Sequence, residues 1–291
     1  MSILNKNDKI TIVACSNGQP IANKFKIDNL LELLKKLSLN PICSNYIYET
    51  TSPFNGAAKD KGKAFMDLYR NNEIKAIFDI SGGDLANEVL DYLDYDYISK
   101  NPKPFFGYSD LTTVLNAIYS QSNNPVYLYQ IRNLISSDSE NQISNFTNSL
   151  LNNEDDLFKF SYKFIQGSKI EGTVVGGNIR CLLKLAGTKY IPDFTDKVLL
   201  LESMGGEAGL MSAFLNQLKQ MGVFDKLQGL ILGTFSQLQE NNITPTIEEL
   251  VLSIIDNPDL PIAKTEEIGH GANSKCIIIG KNISLFNHKF K

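Results

Sequence analysis

Along the chain, short apolar runs rich in β-branched residues alternate with segments whose apolar positions recur at helical spacing. Lys9–Ala14 (KITIVA) has a strand pattern that stops in a polar turn over Cys15–Pro20. Phe25–Leu37 carries Leu30, Leu31, Leu33 and Leu34 on a helical period, and Pro41–Cys43 predicts a second strand. Asp60–Asn71 predicts an amphipathic helix with Phe65, Met66 and Leu68 on its apolar side. Ala76–Ile80 (AIFDI) predicts a third strand, ended by Ser81-Gly82-Gly83. Leu85–Leu93 reads as helical, Pro104–Phe106 as a fourth strand and Asp110–Ser120 as another helix. Strands alternating with helices mean crossover units and a parallel sheet covered on both faces. In such sheets ligands gather outside the carboxyl ends of the strands. The turns after Ala14, Ile80 and Phe106 are therefore expected along one edge.

Between Ser136 and Gln166 the pattern changes, with Ser, Asn, Asp and Glu dominating. Ile143, Phe146, Leu150 and Leu151 remain periodic, which predicts a connector holding one modest helix. A second region begins near Ser168. Ile170–Val175 predicts a strand, Gly176-Gly177-Asn178 a turn and Ile179–Ala186 a helix. Lys197–Leu201 predicts a strand ending at Glu202, then come a helix over Gly209–Met221, a strand over Leu230–Phe235 and a helix over Ile247–Ile255. Pro261–Lys264 and Cys276–Ile279 close the series as short strands. The expected organisation is α/β: an N-terminal parallel-sheet domain over 1–135, a connector over 136–167 and a C-terminal mixed α/β domain over 168–291.

Composition narrows the function. The chain has 291 residues, 43% hydrophobic and 21% charged, as in a folded globular enzyme rather than a disordered chain. The net charge is −4 and no basic block stands out, so no nucleic-acid partner is expected. No apolar run approaches a membrane span. The polar start Met1–Lys9 has no secretory pattern, so the expected location is cytoplasmic. Cys15, Cys43, Cys181 and Cys276 are scattered without CxxC spacing and read as reduced, mostly buried thiols. A zinc site would need histidines beside them, and the chain has only His270 and His288. No metal or cofactor is expected.

Three residues carry candidate chemistry. Ser109 follows Phe105-Phe106-Gly107-Tyr108 between a predicted strand and a predicted helix. A serine on so sharp a turn presents its hydroxyl at the sheet edge, beside N–H groups of the helix start that can stabilise an oxyanion. This is the logic of a nucleophile elbow, although position 111 is Leu and G-x-S-x-G is not met. Alone, such a serine is more often a plain N-cap. A serine nucleophile needs a base titrating near neutrality, and histidine is the default supplier. His288 lies near the end among Asn287, Lys289 and Lys291 and is expected to be exposed. His270 lies between Gly269 and Gly271, whose freedom lets the backbone bring the ring into a confined cleft; a simple turn histidine fits the same pattern. Glu202 ends the apolar run Val198–Leu201, where a buried carboxylate is costly unless paired, though an ordinary strand-end cap also fits. Glu207 is its local rival. The glycine turns Ser81-Gly82-Gly83-Asp84 and Gly176-Gly177-Asn178 offer backbone N–H groups that suit an oxyanion or a carboxylate, but neither spells a nucleotide-binding fingerprint.

Together these segments resemble the LD-carboxypeptidase (muramoyltetrapeptide carboxypeptidase) family of serine peptidases, which includes the microcin C immunity proteins. The resemblance runs nearly end to end: KITIVACS, AIFDISGGD at 76–84, LDYLDYDYISKNPKPFFGYSDLT at 90–112, GTVVGGNIRCLLKLAGTKYIPD at 172–193, KVLLLES at 197–203 and GHG at 269–271. It implies a flavodoxin-like N-terminal domain, a C-terminal swivelling β/β/α-like domain and a homodimer. It implies Ser109 as nucleophile, Glu202 and His270 as its partners in a triad closing across two domains, and backbone N–H groups of Gly83 and Asp110 as the oxyanion hole. The substrate it implies is a small muropeptide, cut before its terminal D-alanine, with Gly82, Asp84, Asn178 and Tyr129 as expected substrate contacts. A terminal carboxylate calls for N–H-rich turns or a nearby Arg or Lys. Two departures stand out: Cys15 where many members have Pro, and Val126–Gln130 where many have a His-Gly-Pro-like turn. Two rival readings are an immunity-type peptidase cutting an aminoacyl-nucleotide amide, for which the absence of Trp removes one stacking platform, and a small-molecule binding module without chemistry.

Overall fold

The computed structural model describes residues 2–287; His288, expected to be exposed, lies outside them. The first half runs β1 (Lys9–Val13), α1 (Lys24–Lys36), β2 (Asn40–Cys43), α2 (Ala58–Arg70), β3 (Ile74–Asp79), α3 (Tyr95–Lys100), β4 (Phe105–Gly107), α4 (Thr112–Ser122), β5 (Val126–Leu128) and α5 (Ser139–Leu151). The second half runs β6 (Lys163–Gln166), β7 (Lys169–Asn178), α6 (Ile179–Leu183), β8 (Lys197–Ser203), α7 (Ala208–Gln220), β9 (Gly229–Phe235), α8 (Ser236–Glu240), α9 (Ile247–Ile255), β10 (Ile262–Lys264), β11 (Ile277–Ile279) and β12 (Asn282–Phe286). Most predicted elements appear within a few residues of their expected bounds; Leu85–Leu93 is a 3-10 helix over Ala86–Tyr92.

Among the described residues the strands form two six-stranded sheets, giving an α/β fold. The first has the order β11-β5-β4-β3-β1-β2, parallel from β2 through β5. The second has the order β12-β7-β8-β9-β10-β6, parallel from β7 through β10 with antiparallel strands at both edges. Parallel strands buried on both faces need near-continuous apolar sequence, as Val198–Leu201 and Leu230–Leu232 supply. In the first sheet, Phe78, Phe106 and Tyr127 stack across three neighbouring strands, with successive ring centroids 4.4 Å apart.

The halves interleave. β11 comes from 277–279 yet pairs antiparallel with β5 in the first sheet. The stretch 136–167, expected as a connector with one helix, holds α5 and β6. Phe146 and Leu150 of α5 pack into the core of the first sheet, while β6 pairs with β10 in the second. Several of the polar residues that gave this stretch its linker-like composition are exposed on α5, while Gln142 and Ser149 are buried.

α4 joins the sheets. It is buried continuously from Thr112 to Ile118, and its Val114, Leu115 and Ile118 share one core with Phe105 of the first sheet and Val174, Leu200 and Ile231 of the second. A helix buried on all sides cannot show a clean amphipathic stripe. Asn116 fixes its position: the amide N–H of Gly176 donates to Asn116 Oδ1 and Asn116 Nδ2 donates to the Gly176 carbonyl, both at 2.9 Å. Gly176 and Gly177, predicted as a turn, lie inside β7. A side-chain carbon on Gly177 would stand 2.7 Å from Thr112 Oγ1, so glycine there permits the close approach of α4.

Candidate active site

The loops after β1, β3 and β4 meet on one edge, as their position at the carboxyl ends of parallel strands requires. Asp79 Oδ2 accepts from the Cys15 N–H at 2.8 Å, and Ser81 Oγ accepts from the Ser16 N–H at 2.9 Å. Ser109 sits at the head of the third loop with φ of 58°. A non-glycine residue in that left-handed region costs about 1–3 kcal/mol and persists only where its surroundings impose it. Here β4 ends at Gly107 and the chain turns at once into a 3-10 turn over Ser109–Leu111 that leads into α4. The turn directs the hydroxyl away from the sheet and leaves the Asp110 N–H at the start of the helical segment, where backbone donors have no intrahelical acceptor.

The Asp110 carboxylate anchors this turn. It is fully buried and accepts from Ser16 Oγ at 2.6 Å, from the Ala86 N–H at 2.8 Å and from Lys184 Nζ at 2.5 Å. Loops from three places in the chain thus converge one residue after Ser109. Removing one partner of a buried ion pair leaves the other uncompensated, so Asp110→Asn is expected to lower the unfolding free energy by about 3 kcal/mol. Urea titration followed by circular dichroism measures this; an unchanged midpoint would show that the network contributes little.

Glu202 enters from the second sheet, one residue before the end of β8. β7 and β8 pair Asn178 with Glu202, and Thr112 Oγ1 accepts from the Asn178 N–H at 3.0 Å, so the helix start after Ser109 is tied to the strand beside Glu202. His270 arrives on a loop crossing the end of β9. Thr234 N–H donates to the Ile268 carbonyl at 2.8 Å, His270 N–H donates to Thr234 Oγ1 at 3.2 Å, and Gly269 N–H donates to Ser274 Oγ at 3.1 Å. Gly233 makes the crossing possible, since a side-chain carbon there would lie 2.4 Å from the Ile268 carbonyl oxygen.

These supports bring the three side chains together. His270 Nδ1 lies 2.6 Å from Glu202 Oε2, and His270 Nε2 lies 3.0 Å from Ser109 Oγ. The side chains of His270 and Glu202 are 3% and 2% exposed, so their contact is shielded from water. A carboxylate at Nδ1 holds the proton on that nitrogen and leaves Nε2 to accept from the serine hydroxyl. Tyr108 packs on the imidazole, with ring centroids 4.5 Å apart. Burial, with the Glu202 charge adding and Arg132 opposing, pushes the Tyr108 phenol well above its ordinary range, so it stays neutral. Glu207, the local rival to Glu202, is exposed at the start of α7.

Other expected site residues divide. Gly82 faces Ser109, since a side-chain carbon there would be 3.7 Å from Ser109 Oγ. Gly83, with φ of 123°, gives its carbonyl to Arg180 Nη2 at 2.9 Å, and the Asp84 carboxylate pairs with the Arg180 guanidinium. That contact, ahead of the opposing desolvation, holds Asp84 below the usual carboxylate range. Asn178 uses its side chain to cap α6, accepting from the Cys181 N–H. Tyr129, expected as a substrate contact, is instead 2% exposed in the core of the first sheet. Its hydroxyl donates to Gln142 Oε1 at 3.0 Å, and Gln142 Nε2 donates to the Ser274 carbonyl at 3.1 Å. Tyr129 therefore braces the His270 loop through α5. The supports Ser16, Asn116, Thr234 and Ser274 are polar residues scattered over the chain, and no local pattern marks them before the fold brings them together. Lys184 had a faint signal, lying one helical turn after Arg180.

Cys15, Cys181 and Cys276 are buried and Cys43 is exposed. Among the described residues no group of three or more His, Cys, Asp or Glu stands close enough to hold a metal, and no helix is long and apolar enough to cross a membrane.

Comparison with known proteins places the chain in a family. The family model described as the LD-carboxypeptidase N-terminal domain matches residues 10–129, and that of the LD-carboxypeptidase C-terminal domain matches 171–285. The probable murein peptide carboxypeptidase of Bacillus subtilis is 26% identical over 97% of this chain and 90% of its own length. The microcin C7 self-immunity protein MccF of Escherichia coli is 22% identical over 97% of this chain and 92% of its own length. A solved structure of MccF superposes with a TM-score of 0.84 at 21% identity, covering 99% of this chain and 98% of that one. The muramoyltetrapeptide carboxypeptidase of Oxalobacter formigenes superposes with a TM-score of 0.80 at 20% identity, over 96% and 95% of the two chains. With both halves matched in order along the sequence, the chain belongs to the LD-carboxypeptidase family.

Proposed function

We propose that this protein is a serine carboxypeptidase that hydrolyses the amide between the L-centre of a diamino acid and the terminal D-alanine of a peptidoglycan-derived muropeptide. The observation that carries the reading is the relay Ser109 Oγ–His270 Nε2–Glu202, at 3.0 and 2.6 Å in a shielded cleft. His270 removes the Ser109 proton as Oγ attacks the scissile carbonyl carbon. The Asp110 N–H and that of Gly83 in the glycine turn hold the resulting oxyanion. His270 returns the proton to the leaving amine, D-alanine departs, and an ester on Ser109 remains. Water, deprotonated by the same imidazole, attacks the ester and restores the serine. Glu202 orients the ring and stabilises the imidazolium.

Release of D-alanine from a panel of stem tetrapeptides differing in the diamino acid tests the substrate. At least one should be cut at its last bond; a panel left intact would remove the carboxypeptidase reading. Because the mechanism uses only protein groups, EDTA should leave the rate unchanged. Loss of activity with EDTA and recovery with zinc would overturn it.

A second reading is favoured by the end-to-end similarity to MccF, one structure of which is described as a complex with aspartyl sulfamoyl adenosine. The same relay would serve an aminoacyl-nucleotide amide, although this chain has no Trp to stack on a base. Offering aminoacyl sulfamoyl adenosine beside the tetrapeptides separates the two. A binding module without chemistry predicts three side chains out of mutual reach, and the relay distances speak against it.

A further inference from the structure

Beside the relay lies a cavity of about 300 Å³ whose lining includes Tyr108, Gln130, Arg132, Gln19, Ile27 and Lys26. Its lining carries two cationic side chains and no carboxylate. Arg132 has no ion-pair partner among the described residues, and its guanidinium makes one long hydrogen bond, from Nη1 to Gln19 Oε1 at 3.4 Å. Gln130 is 5% exposed. Its Oε1 accepts from the Arg132 N–H at 3.1 Å, which fixes the direction of the amide, and its Nε2 is buried without an acceptor. A buried donor left unmade costs about 1–3 kcal/mol, so a site that keeps one is suited to a ligand that supplies the acceptor. Arg132 and Gln130 both line this cavity, and the planar guanidinium fork matches the two oxygens of a carboxylate.

Position says which carboxylate. The leaving amine must sit where His270 can protonate it, and Tyr108 packs on that imidazole while forming part of the cavity wall. Tyr108 thus sets this cavity beside the imidazole that must protonate the leaving amine.

We infer that Arg132 and Gln130 form the receptor for the free carboxylate of the departing C-terminal residue, and so restrict this enzyme to the last bond of an acidic chain end. The inference rests on the carboxypeptidase reading above. The cavity is roomier than an alanine side chain needs, so selection falls on the free carboxylate more than on the size of the residue bearing it. Burial lowers the Arg132 pKa, but an arginine so placed remains charged, and reduced competition from water strengthens its hold on an anion.

The test is calorimetric binding to the Ser109→Ala variant, which cannot turn over. The two probes are a stem tetrapeptide ending in D-alanine and the same peptide as its C-terminal amide. The acid should bind about 10- to 100-fold more tightly than the amide, as a charge-assisted pair implies. Adding Arg132→Met, of similar length, should abolish that preference, and Arg132→Lys should retain part of it. Thermal unfolding of each variant confirms that the fold is kept. Equal binding of acid and amide, a preference that survives Arg132→Met, or no binding of either peptide would overturn the assignment. The serine mechanism is read separately, by labelling of Ser109 with a fluorophosphonate in the otherwise unaltered protein. Labelling together with D-alanine release but no acid preference sinks the pocket alone. Absence of labelling sinks the relay.

Discussion

Replacing Ser109 or His270 by alanine is expected to lower kcat/KM for D-alanine release by about 10⁴–10⁶-fold, and the double variant should be little worse than either single one. The reason is that the two act as a unit: the hydroxyl is a poor nucleophile without the imidazole, and the imidazole has nothing to activate without the hydroxyl. Glu202→Gln should cost less, because the ring remains in place between Tyr108 and the loop held by Thr234 and Ser274. The amide can donate to Nδ1, however, which favours the tautomer with its proton on Nε2, where it can no longer accept from Ser109. Ser109→Ala should leave stability almost unchanged, since the lost hydroxyl makes one hydrogen bond and little packing. His288→Ala is the internal control, as the chain's other histidine. An enzyme silenced by His288→Ala but active with His270→Ala would require a different base.

Gly269→Ala should lower kcat/KM by about 10²-fold or more without unfolding the protein, the scale expected when a reacting group moves by about 1 Å. Gly269 has φ of 137°, a conformation L-residues rarely adopt. A side-chain carbon there would stand 2.1 Å from Thr234 Oγ1 and 3.2 Å from Glu202 Oε2. The methyl group would thus press on the hydroxyl that holds the His270 backbone and on the carboxylate oxygen that orients its ring. Relief must come from a shift of the 268–270 loop, which carries the base away from Ser109. Gly209→Ala is the matched control, because nothing lies within 4 Å of the added carbon. Steady-state kinetics beside far-ultraviolet circular dichroism separates displacement from unfolding. Full activity in Gly269→Ala would mean that the loop absorbs the added carbon without moving His270 away from Ser109.

The alternation of strands and helices is a local signal, and it marked most strands of both sheets, though not β5, β6 or β12, before any contact was known. Ser109, Glu202 and His270, which the structure brings within hydrogen-bond distance, each had a bland local reading and stood out as a set only through the family resemblance. What local pattern could not supply is what one segment does to another. Gly176 and Gly177 read as a turn because glycine usually breaks a strand, yet they lie in β7, where Gly177 admits α4. Tyr129 was expected at the pocket wall because it falls where the family carries a His-Gly-Pro-like turn, but its ring goes inward and its hydroxyl braces the His270 loop through Gln142. The stretch 136–167 read as a connector because Ser, Asn, Asp and Glu dominate it. Its Phe146 and Leu150 belong to the first core, and its Lys163–Gln166 strand belongs to the second sheet. Arg132 carried no signal at all, because an arginine after a strand is unremarkable until its partners prove to be few.

Acid quenching during turnover, followed by mass measurement of the intact protein and of its peptides, addresses the nucleophile directly. With a tetrapeptide in excess, the enzyme should carry an added mass equal to the substrate less D-alanine, located on the peptide containing Ser109 and absent from Ser109→Ala. Unmodified protein alongside D-alanine release that persists in Ser109→Ala would contradict a serine acyl-enzyme.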